Sequence, residues 1–98
     1  MIKWHPYVVA GTVSCDIHPV ERGGGLTLPE SRRAFAVAER LVYDPELRPD
    51  AGICMPHHFP GWVLIREDAL SGFLAALEAA EVPVDRDAAY AALRRSGW

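Results

Sequence analysis

The sequence predicts an α+β fold: a small two-layer domain in which a three- to four-stranded, mostly antiparallel sheet carries two or three helices on one face. Three observations predict it. Residues 4–20 are rich in β-branched side chains without a helical period, and Val13, Cys15 and Ile17 alternate there with Ser14, Asp16 and His18. Three later stretches read as helices, with apolar residues at helical spacing. Two short apolar runs, residues 53–55 and 62–65, flank a turn-rich segment and are too short for helices. The expected order is strand, helix, strand, strand, helix, helix. A small parallel arrangement is the alternative, because strand–helix–strand also permits a right-handed crossover.

The first strand region has one buried face, and Gly11-Thr12 is either a tight turn making a hairpin with residues 7–10 or a bulge. Pro19 stops it, and residues 21–25, ending Gly23-Gly24-Gly25, form a loop. Thr27 and Glu30 make a capping box for the first helix, with Pro29 tolerated in its first turn. Ala34, Val37, Ala38, Leu41 and Val42 form its apolar stripe; Arg32, Arg33, Glu39, Arg40 and Tyr43 lie on the other side. Residues 44–52 read as a loop broken by Pro45 and Pro49. Ile53-Cys54-Met55 and Trp62-Val63-Leu64-Ile65 are strands, paired as a hairpin around the His57-His58 turn. The second helix spans residues 68–81, with Glu67 and Asp68 at its positive end. Val82-Pro83-Val84 breaks it, and Asp85 caps a third helix that ends near Gly97.

Ninety-eight residues make one domain, residues 1–98, with a core feasible without crosslinks. Half the residues are hydrophobic and 23% are charged, which excludes a disordered chain. A net charge of −3 argues against a nucleic-acid surface, which wants a basic excess. There is no signal-peptide pattern after Met1 and no apolar run long enough to span a bilayer, so the expectation is a soluble, cytoplasmic protein with reduced Cys15 and Cys54.

The second helix carries the most information. Leu70, Phe73, Leu74 and Leu77 form a core stripe, but Gly72, Ala75, Ala76 and Ala79 stand where charge would normally be. Small side chains admit a neighbouring backbone. The favoured cover is the third helix, through its own alanines; the functional reading is another protein or a second copy of this chain. The remaining reading is plain exposure, since alanine is simply the best helix former. Trp62, at a strand start, and Trp98 extend the candidate partner surface. For Trp98, packing back on the core is the favoured placement.

Cys15-Asp16-Ile17-His18 and Cys54-Met55-Pro56-His57 share the form Cys-x-x-His and together offer two thiolates and two imidazoles to a zinc ion. Residues i and i+3 of a strand point to opposite faces, so Cys15 and His18 converge only if the strand bends. Cys54 with His57 or His58 is also a nucleophile–base pair in composition. The glycine run lacks a phosphate-loop spacing, and the arginines of the first helix read as a solvated face. Two expectations follow. The first is a small non-enzymatic protein-interaction module, of regulatory, inhibitor or immunity type or an accessory subunit, with no cofactor. The alternative is a zinc-binding or small Cys/His enzyme domain centred on Cys54, His57 and His58.

Overall fold

The computed structural model describes residues 1–18, 26–43, 52–56, 58 and 61–98. The glycine run at residues 23–25, the loop containing Pro45 and Pro49, and His57, Phe59 and Pro60 lie outside them. Four strands, β1 (Lys3–Pro6), β2 (Thr12–Asp16), β3 (Ile53–Cys54) and β4 (Trp62–Arg66), form one sheet in the order β1-β2-β4-β3. Every pairing is antiparallel, so the α+β arrangement holds and the parallel alternative does not. The first strand region is a hairpin, but its first arm lies earlier than residues 7–10. β1 ends at Pro6, and residues 7–11 make the connection, with Tyr7 N–H donating to Thr12 O at 3.3 Å.

Helix α1 (Leu28–Val42) starts where the capping box placed it. Thr27 Oγ1 accepts from Glu30 N–H at 3.5 Å and donates to Glu30 Oε1 at 2.9 Å. Ala34, Val37 and Ala38 are buried as the stripe requires. Ser31 is buried too, because its hydroxyl donates to Ile17 O and ties α1 to the end of β2. Helix α2 (Glu67–Ala79) leaves β4 without a loop, and Glu67 N–H donates to Gly11 O at 2.8 Å. Helix α3 (Arg86–Arg94) is capped by Asp85, whose carboxylate accepts from Ala88 N–H at 3.0 Å.

All three helices feed one core on one face of the sheet. Trp4, Val13, Cys15, Val63 and Ile65 meet Ala34 and Val37 of α1, Leu70, Phe73, Leu74 and Leu77 of α2, and Ala89 and Ala92 of α3. Trp4 and Phe73 pack edge to face with centroids 6.3 Å apart, an arrangement worth about 0.5–1.5 kcal/mol beyond area burial.

The third helix does not cover the small-residue strip of the second. α3 packs on β1 and β2, and Gly72, Ala75 and Ala79 are exposed, with Ala76 half-buried. A Cβ added at Gly72 would meet nothing within 4 Å. The turn after α2 explains this. Glu81 adopts φ 62°, Val82 N–H donates to Leu77 O and Glu81 N–H to Glu78 O, a Schellman arrangement that turns the chain away from the helix axis. Val82 is then buried in the core. Among the described residues no helix is long and apolar enough to cross a membrane.

Candidate functional site

Strand alternation assigns each sheet residue to a face. The rows Trp4–Cys15–Val63 and Pro6–Val13–Ile65–Ile53 face the helices. The rows His5–Ser14–Leu64–Cys54 and Lys3–Asp16–Trp62 face the other way, away from the buried core, with only the Trp62 end coming near α1. An antiparallel sheet can leave one face to water, and that face is normally polar. Here its rim is polar and its centre is not. Tyr7, Ser14, Cys54, Pro56, Trp62 and Leu64 line a groove of about 490 Å³. A second hollow of about 330 Å³ shares Tyr7, Cys54 and Leu64 with it and reaches Val9 and Arg66. Val8 and Val9 stand exposed at that end. The imidazole of His5 lies 5.5 Å from the Trp62 ring, tilted at 52°.

Ser14 sits on this open face yet keeps only 7% of its surface exposed, because larger neighbours rise on both sides of it. Its hydroxyl donates to His5 O at 3.4 Å. At the far end of β2, Asp16 Oδ1 accepts from His18 N–H at 2.9 Å and lies 3.9 Å from the ring Nδ1. The His18 ring lies against Gly61, which has φ 84° and whose carbonyl accepts from Ile17 N–H at 2.8 Å. A side chain at position 61 would push that ring aside, and the positive φ itself favours glycine there.

The sequence-predicted ligands are not brought together. Cys15 is fully buried on the helix face, while Cys54 is exposed on the open face, so the sheet itself separates the two thiols. Burial pushes the Cys15 thiol well above its ordinary range, and the neighbouring Asp16 carboxylate pushes the same way. His18 and His58 are exposed, and His57 lies outside the described residues. Among the described residues, no three His, Cys, Asp or Glu side chains gather as a metal site would need. Of the partner-surface candidates, Trp62 is half-buried in the groove wall. Trp98 is 75% exposed and does not fold back onto the core, because Gly97 rather than Trp98 meets the body of the protein. Tyr7, Ser14, Pro56 and Leu64 were not marked by sequence reasoning. The available signal was the unbroken run Trp62-Val63-Leu64-Ile65, since a strand apolar at every position has two faces to cover. Comparison of the chain with protein-family models, with curated proteins and with solved structures finds no match.

Proposed function

We propose that the protein is a non-enzymatic interaction module that docks another polypeptide, a second copy of itself included, on the open face of its sheet. The observation that carries this is the apolar groove between Tyr7, Trp62, Leu64 and Cys54 on the face the helices leave uncovered. Contiguous apolar surface with a polar rim is the usual composition of a docking patch. Lys3 and Asp16, paired across the strands, give that rim both signs of charge, which lets the face meet an identical one without net repulsion.

The test is Leu64→Asp, which places a charge in the groove but not in the core. Sedimentation equilibrium over a wide concentration range reads self-association. A photo-crosslinking residue at position 9, on the groove rim, reads a different partner in cells expressing the protein. Either a concentration-dependent mass or a discrete crosslink is expected, and Leu64→Asp is expected to abolish it while the far-UV circular dichroism is retained. A lone monomer without crosslinks, or association indifferent to Leu64→Asp, overturns the proposal.

A further inference from the structure

Beside the groove, and sharing its Trp62 and Pro56, lies a separate cavity of about 240 Å³ against the outer side of α1. The helix places its wall. Phe35, Glu39 and Tyr43 recur at four-residue spacing, so two aromatic rings bracket one carboxylate on a single helix face. Trp62 at the start of β4 and the Met55 thioether close the other side. Phe35 and Tyr43 are among the exposed large apolar side chains, at 39% and 56%. That is an unusual placement for a helix face otherwise carrying Arg32, Arg40 and Glu39.

The lining selects a ligand class. Aromatic faces attract a cation through their quadrupoles, and a carboxylate among them adds a point charge. A hard metal ion wants about six to eight oxygen ligands, which this set does not supply. An anion is repelled by Glu39, and a neutral apolar ligand gains nothing from that carboxylate. His18 also lines the cavity, its ring Nδ1 lying 3.9 Å from Asp16 Oδ1. The volume falls below the roughly 300–1,000 Å³ of pockets for drug-sized molecules, so the ligand is small. We infer that this cavity binds a quaternary ammonium group, held by Phe35, Tyr43 and Trp62 and balanced by Glu39.

Tetramethylammonium and choline are the probes, with 3,3-dimethylbutanol as the uncharged analogue of choline's shape. The readout is the indole N–H signal of Trp62 by ¹⁵N NMR, with Trp4 and Trp98 as internal controls. Both ammonium ions are expected to shift Trp62 saturably, and the alcohol to bind about five-fold more weakly or worse. E39Q and Phe35→Leu should each weaken choline by roughly three- to ten-fold with the fold intact. Phe35 and Glu39 line this cavity and not the groove, so the outcome is separate from that of the protein-docking face. A trimethyllysine peptide that binds more tightly than choline assigns the group to a protein tail; one that binds no better assigns it to a free small molecule. Equal binding of the alcohol, absence of a saturable Trp62 shift, or indifference to both E39Q and Phe35→Leu overturns the inference.

Discussion

Cys15 and Cys54 differ in chemistry because strand register sends one side chain under the helices and the other into the groove. Alternation around Val13 and Ile17 made the burial of Cys15 legible in the sequence. The side taken by Cys54 was not legible, because a two-residue strand has no alternation to read. A buried thiol is unreactive when its thiolate is disfavoured. A thiol reagent at neutral pH should therefore modify Cys54 alone in the native protein and both cysteines after unfolding, counted by mass spectrometry. The same burial sets a pH dependence. The folded state keeps the Cys15 proton at pH values where the unfolded chain, titrating near its ordinary value of 9.0, has released it. Bound protons are then more numerous in the folded state, so this stabilisation is complete below pH 9 and lost as pH rises above it. Urea titrations from pH 8 to 10.5 should show stability falling by up to about 1.4 kcal/mol per pH unit beyond the fall in Cys15→Ala. Identical slopes for the two proteins would refute this account of Cys15.

At the scale of elements, the local signals were readable and the turns that aim the elements were not. The capping box at Thr27 and Glu30 and the Asp85 cap are short-range hydrogen bonds between residues three apart, and the sequence shows both. The direction of α3 depends instead on one residue, Glu81, in a left-handed conformation that glycine usually fills. With no glycine there, the sequence marked only a break at Pro83, and the favoured packing of α3 on α2 followed from matching alanines alone. An L-residue in this region costs about 1–2 kcal/mol. Glu81→Gly should therefore stabilise the protein by roughly 0.5–1 kcal/mol after the flexibility glycine adds to the unfolded chain is subtracted. The Arg33 guanidinium bonds the backbone oxygen of residue 81, so that contact survives the substitution. Chemical denaturation reads the change, and a destabilised Glu81→Gly would mean that the Glu81 side chain itself contributes.

At the scale of the whole molecule, periodicity tells which face a residue occupies but not which strand lies beside which. The central pairing of β2 with β4 joins segments about fifty residues apart, and nothing local encodes it. What closes the fold lies further apart still. Gly11 N–H donates to Ser96 Oγ at 2.9 Å across 85 residues, and Gly97 N–H donates to Tyr7 O at 2.8 Å. Gly97 does this at φ 80°, with its α-carbon so near Ala10 that an added Cβ would lie 2.8 Å from the Ala10 Cβ. The segment after α3 thus clasps the β1–β2 connection, whose other anchor is the bond from Glu67 N–H to Gly11 O. Trp98 takes no part in the clasp, being 75% exposed. Removing Trp98 alone should then change stability by less than about 0.5 kcal/mol. Removing residues 96–98 deletes both hydrogen bonds, each worth about 0.5–1.5 kcal/mol, and should cost about 1–3 kcal/mol. For a domain of this size each kcal/mol lowers the melting temperature by roughly 4–8 °C, a shift calorimetry resolves easily. Hydrogen exchange at the Gly11 amide should accelerate in the longer deletion and stay unchanged in the shorter one, because only the longer removes its acceptor. Equal losses from the two deletions would place the stabilisation in the tryptophan ring and leave the clasp without an energetic role.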